Sequence, residues 1–116
     1  MAKYTGFIDA WKWRGGDMGY GFERTKPRQN INRAFSSDKA ALAYGYSIVN
    51  KSTRAKNQHS VGVHYSVYIK NADTGREYSI QLTTGKVRVW TTGPEGYYLG
   101  YLLKSDGTIS YRGGLV

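Results

Sequence analysis

The chain contains no cysteine, which excludes a disulfide framework, a thiolate metal site and a cysteine nucleophile. That composition suits a reducing cytosol, and the expected location is cytoplasmic. No apolar run approaches the roughly 20 residues of a membrane-spanning helix. The opening Met1-Ala2-Lys3-Tyr4 has no signal-peptide core, and no basic amphipathic helix is visible, so no membrane partner is expected. Histidine is limited to His59 and His64; with few carboxylates near them, no metal and no other cofactor is expected. Gly19-Tyr20-Gly21 lacks the third glycine and the following helix of a dinucleotide site, and no Gly-Lys-Ser/Thr phosphate loop occurs. Asp9, Asp17 and Glu23 are too scattered for paired-carboxylate catalysis. Acids are scarce overall, eight Asp and Glu against seventeen Lys and Arg.

That imbalance gives 116 residues a formal charge of +9, the footprint of a protein that meets a polyanion. Eleven Tyr, three Trp and three Phe accompany the cations. Aromatic faces stack on bases while Lys and Arg hold phosphates, so the two enrichments together indicate DNA or RNA, single-stranded in preference. The length is that of one domain, and 40% hydrophobic with 22% charged residues is a globular composition.

Residues 4–13 and 18–24 read as two short strands around the turn Arg14-Gly15-Gly16-Asp17, an N-terminal β-hairpin that Gly6, Gly19 and Gly21 weaken. Residues 25–33 read as a basic loop. A helix follows over 37–50, capped by Ser36 or Ser37, with Asp38 near its positive end. Its apolar stripe is Ala41, Leu42, Gly45, Ile48 and Val49. Gly45 costs about 1 kcal/mol relative to Ala, which close approach of the helix to a sheet would explain. Residues 51–58 form a second basic loop. From residue 60 the period becomes two, predicting strands over 60–69, 77–83, 86–92, 97–104 and 108–112.

Turn chemistry sets the register of these strands, because a slip of one residue would exchange their faces. Val67 is expected opposite Ile80, Ile69 opposite Tyr78, Leu82 opposite Val87, Ile80 opposite Val89, Leu103 opposite Ile109 and Tyr101 opposite Tyr111. Tyr65, Tyr78, Tyr101, Tyr111 and one of Tyr44 or Tyr46 fall on apolar phases and should build the core. Gly113-Gly114 reads as a loose tail. The fold class is therefore α+β, one helix packed on a largely antiparallel, meander-like β-sheet, in one domain over residues 1–116.

The sheet face turned away from the helix should display His64, Tyr68, Lys70, Gln81, Lys86, Arg88 and Trp90, with rings, cations and amides side by side. The competing arrangement packs the N-terminal strands over Trp90 and Tyr68. The two basic segments add Arg24, Lys26, Arg28, Arg33, Lys51, Arg54 and Lys56, seven cations without an acid between them in either segment. Phosphates should fall to these Lys and Arg side chains and bases to Tyr68, Trp90, Trp11 and Trp13.

Trp11-Lys12-Trp13 followed by Gly19-Tyr20-Gly21-Phe22 resembles the first two strands of a cold-shock domain over about seventeen residues. That resemblance implies Trp11, Trp13, Tyr20 and Phe22 as stacking residues. The intervening loop is longer than that family's, and a helix with a long meander does not belong to its small barrel. The order helix, then antiparallel sheet, resembles small ribonuclease toxins at the level of fold alone, with His64, Glu77 and Arg88 as the acid–base candidates.

Three functions follow in order. The first is a small non-enzymatic nucleic-acid-binding protein. The second is an interaction protein, for instance phage-encoded, that inhibits a host enzyme, its charge meeting an acidic patch of the host protein or masking a nucleic-acid channel. The third is a ribonuclease toxin.

Overall fold

A computed structural model describes residues 1–13, 22–52 and 63–115. Arg54, Lys56, His59, Gly15-Gly16 and Gly19-Tyr20-Gly21 lie outside that set, as do the side chains of Trp13 and Phe22. The elements are β1 (Ala2–Trp13), β2 (Phe22–Arg24), β3 (Gln29–Phe35), α1 (Asp38–Val49), β4 (Val63–Asn71), β5 (Glu77–Thr83), β6 (Lys86–Thr92), β7 (Tyr98–Leu103) and β8 (Ile109–Leu115). All strands join one antiparallel sheet of eight, in the order β2-β1-β4-β5-β6-β7-β8, with β3 also against β1.

Three expectations change. The segment 25–33 is not one loop, since β3 occupies most of it and pairs Ile8 with Gln29 through to Ala2 with Phe35. β2 lies on the same edge of β1, Trp11 opposite Arg24, so β2 and β3 are one interrupted strand. Between these registers, Asp9 and Ala10 face the four residues 25–28, an extended bulge at Pro27, whose missing N–H cannot continue a ladder. The Thr25 N–H donates to the Ala10 carbonyl at 3.0 Å. Second, the N-terminal strands do not cover a sheet face; they extend the sheet, β1 pairing with β4 from Tyr4 opposite Asn71 to Lys12 opposite Val63. Third, Gly113 and Gly114 belong to β8.

The meander registers are as the turns dictate. Val67 opposes Ile80, Ile69 opposes Tyr78, Leu82 opposes Val87, and Leu103 opposes Ile109. β7 and β8 then shift register between Gly100 and Leu102, yet the Tyr101 and Tyr111 rings still meet edge-on at 4.9 Å. Tyr78 and Tyr101 are buried as expected, whereas Tyr111 is exposed at the sheet edge.

α1 begins where Ser37 Oγ accepts the Ala40 N–H at 3.1 Å. Ala41, Leu42, Gly45 and Val49 bury one face against Val67, Ile69 and Ile80, with Tyr4, Phe35, Val89 and Tyr101 in the same cluster. A Cβ placed on Gly45 would lie 2.3 Å from Ile80 Cδ1, so the helix does approach the sheet at its glycine.

Asp38 ties that helix to the sheet. Its carboxylate accepts hydrogen bonds from the hydroxyls of Tyr4 and Tyr78 and, at 2.8 Å, from Asn71 Nδ2. Burial works to raise the Asp38 pKa, but these donors and the Arg76 charge outweigh it and hold the carboxyl below its ordinary value. Burial, reinforced by Asp38, pushes both tyrosine hydroxyls above the ordinary range.

Linkage then sets two limits of stability. The Asp38 contribution is complete above about pH 4, the ordinary unfolded value, and is lost as pH falls through the lower folded value. The tyrosine contributions are complete below about pH 10 and are lost as pH rises beyond it, because the unfolded chain ionises first. Denaturant titrations above pH 10 should show stability falling by about 1.4 kcal/mol per pH unit for each of Tyr4 and Tyr78. Tyr4→Phe should remove one share of that slope; an unchanged slope would show that Tyr4 is not held as described.

Candidate nucleic-acid interface

Strand alternation places Tyr4, Ile8 and Ala10 of β1 on the helix side, where they are buried. Phe7, Asp9 and Trp11 face the other way. By the same period and the paired registers, Tyr68, Trp90 and Tyr98 share that second face. Among the described residues, no element packs over it.

Two arginines are laid on this face by one carboxylate. Asp9 is 3% exposed. Arg28 grips it as a fork, Nε to Oδ1 at 3.1 Å and Nη2 to Oδ2 at 3.0 Å, while Arg24 Nη1 lies 3.2 Å from Oδ1. The bulge at 25–28 makes this possible by bringing Arg24 and Arg28 to either side of Asp9. Arg28 lies 3.7 Å over the Phe7 ring and Arg24 4.8 Å over Trp11. Phe7 in turn stacks on Tyr68, with centroids 5.1 Å apart and planes 28° apart. Trp11 Nε1 donates to Ser66 Oγ at 3.2 Å. Both arginine side chains remain partly open, 37% and 42% exposed, so each retains N–H groups for a further acceptor.

Farther across the sheet, the Trp90 indole occupies the space that a side chain on Gly100 would take; a Cβ there would lie 2.5 Å from Trp90 Cε2. Tyr98 is 58% exposed. The Tyr68 hydroxyl donates to Glu77 Oε1 at 2.8 Å, and burial together with that carboxylate pushes its pKa up to about 12, so it stays a neutral platform. Burial pushes His64 below its ordinary value, which keeps the imidazole neutral at neutral pH.

The remaining sequence candidates fall into separate places. Lys70 and Lys86 are exposed on the helix-free face, Lys70 opposite Glu77 and Lys86 at the β5–β6 turn. Lys26 is exposed on the bulge. Arg33 turns to the helix side, where it lies 4.7 Å over both Phe35 and Tyr44. Lys51 is exposed just beyond α1. Arg88 is only 8% exposed; its Nη1 donates to the Gly100 carbonyl at 2.9 Å, and its Nε has no acceptor among the described residues. A guanidinium so enclosed braces β6 against β7 and is not presented to a phosphate.

His64, Glu77 and Arg88 share a face but do not form a site. Glu77 pairs with Lys70, six residues along β4 from His64, about 20 Å of strand. Among the described residues, no three His, Asp or Glu could hold a metal ion. No helix of the described residues is long and apolar enough to cross a membrane.

Sequence reasoning passes over Phe7 and Tyr98, and it sets Asp9 aside as too scattered from other carboxylates for catalysis. Phe7 is legible in the alternation of β1 once Gly6 is accepted within a strand. Asp9 is not, because its partners lie beyond a turn and a bulge. No protein-family model, curated protein or solved structure matches this chain.

Proposed function

We propose that this protein binds single-stranded DNA or RNA on the helix-free face of its sheet, without catalysing a reaction. One observation carries the proposal: Phe7, Trp11, Tyr68, Trp90 and Tyr98 share a face with Lys70, Lys86 and the pair Arg24 and Arg28, which one buried Asp9 holds over two of the rings. Rings on a sheet surface are useful to a strand whose bases are unstacked, since duplex bases already stack on each other. Trp90 over Gly100 and the exposed Tyr98 are the platforms left for bases, while Arg24, Arg28, Lys26, Lys70 and Lys86 supply phosphate contacts.

Fluorescence anisotropy with labelled oligonucleotides of about 12 nucleotides, within the range a small domain covers, tests the proposal. Binding should fall steeply with salt, as counterion release requires. Trp90→Ala should cost about five- to a hundredfold in affinity, the worth of one stacked base, without altering the salt slope. Lys70→Ala should lower the slope by about 0.7, the share of one phosphate contact on a single strand. Absence of binding at about 50 mM salt sinks the proposal. A stoichiometric complex with an acidic protein that survives nuclease treatment would replace it with the host-inhibitor reading.

A further inference from the structure

The sheet's central pairing is short. β4 and β5 pair only from Val67 opposite Ile80 to Lys70 opposite Glu77. Beyond Val67, β4 keeps its partner β1 as far as Val63, and β5 keeps β6 as far as Thr83. Two wings therefore part at one end of the sheet. Strand residues direct their N–H groups alternately to the two neighbours. At Tyr65, where β5 would take its turn as acceptor, the N–H donates instead to Ser52 Oγ at 2.9 Å. Ser52 is buried directly after the helix, and its hydroxyl satisfies a group that the parted ladder would otherwise leave unpaired. The gap is thus built into the fold by a specific side chain.

A cleft of about 430 Å³ lies in this gap, lined by Trp11, His64, Tyr65, Ser66, Gln81 and Leu82. Its volume is at the small end of ligand sites, room for one heterocycle rather than a folded chain. On the helix-free face its walls carry the Trp11 and His64 rings and two hydrogen-bonding groups, Ser66 and Gln81, while Tyr65 and Leu82, whose side chains pack against the core on the helix side, line it from below. Ser66 accepts from Trp11, which leaves its own hydroxyl proton to donate, and the Gln81 amide offers both a donor and an acceptor. The Arg24 guanidinium lies over Trp11 at the margin, so a phosphate and a base are served side by side.

We propose that the cleft takes one unstacked nucleobase of the bound strand and that Gln81 reads its edge, making the protein base-selective. This rests on the binding face described above, and it adds a recognition pocket to a surface otherwise indifferent to sequence. Amides of this kind discriminate between bases by about five- to a hundredfold.

The test compares four labelled homopolymers of about 12 nucleotides, one for each base, binding to the whole protein and to two variants. Gln81 is exposed, so Gln81→Leu keeps the size of the side chain and should leave the fold intact; Gln81→Trp fills the cleft. The intact protein should favour one homopolymer by about tenfold. Gln81→Leu should level the four affinities with the salt slope unchanged, and Gln81→Trp should abolish the preference while phosphate-dependent binding persists. Equal affinities for all four in the intact protein, or a ranking that survives both variants, overturns the pocket and leaves the surface reading standing. If no homopolymer binds the intact protein, the surface reading falls and the pocket with it.

Discussion

Gly6→Ala should cost about 3 kcal/mol of folding stability, a large share of the 5–15 kcal/mol that holds such a domain together. Gly6 lies inside β1, opposite Ile31 on one side and Ile69 on the other. A Cβ on it would sit 1.8 Å from the Tyr68 carbonyl oxygen, 2.8 Å from its carbon and 3.1 Å from Ile69 Cα. All three contacts are backbone in a strand paired on both sides, so relief requires moving the β1–β4 ladder. Gly45→Ala is the internal control. Its clash is with the tip of the Ile80 side chain, which can rotate, and alanine recovers about 1 kcal/mol of helix propensity. Gly45→Ala should therefore lie within about 1 kcal/mol of the parent. Denaturant midpoints measured on both variants check the contrast, and a mild Gly6→Ala would mean that β1 and β4 do not approach as described.

Removing Arg24 and Arg28 together should cost about 3 kcal/mol, and adding Asp9→Asn to that pair should return most of it. The reason is an asymmetry of burial. Asp9 is enclosed whereas both arginines reach solvent. Arg24→Ala with Arg28→Ala leaves a buried carboxylate without a cation, the costly way to break such a cluster. Asp9→Asn alone frees two arginines that water can solvate, a smaller loss. Binding measurements on the same variants separate two roles for Asp9. If it positions the guanidiniums for phosphate, Asp9→Asn weakens oligonucleotide binding even though it makes the protein more positive by one charge. If it only neutralises them, affinity rises. The first outcome is expected, because the fork to Arg28 and the single bridge to Arg24, each guanidinium lying over a ring, orient both groups before a ligand arrives. A triple variant no more stable than the double would show that the charge of Asp9 is not what the arginines balance.

The meander was readable because its signals are local. The two-residue turn at Thr84 and Gly85 and the alternation on either side set the register of β5 on β6 through neighbouring residues alone. The helix was equally plain in Ser37, Asp38 and the spacing of Ala41, Leu42, Gly45 and Val49. β3 was hidden behind Pro27 and its basic neighbours, which resemble a loop until β1 supplies the missing partner. Gly6 was misleading for a related reason. Glycine weakens a strand by propensity, yet here the close passage of Tyr68 demands it.

The candidate site divides in the same way. Composition alone determined that a basic, aromatic-rich chain has the chemistry to meet a polyanion, and alternation placed Tyr68, Lys70, Lys86 and Trp90 on one face. Only the tertiary structure decided which cations reach that face. It buried Arg88 against Gly100, turned Arg33 to the helix, and brought Arg24 and Arg28 onto Asp9. It also parted β4 from β5 beside Gln81. Each of these outcomes depends on residues far apart in the chain meeting across strands, and periodicity carries no record of such meetings.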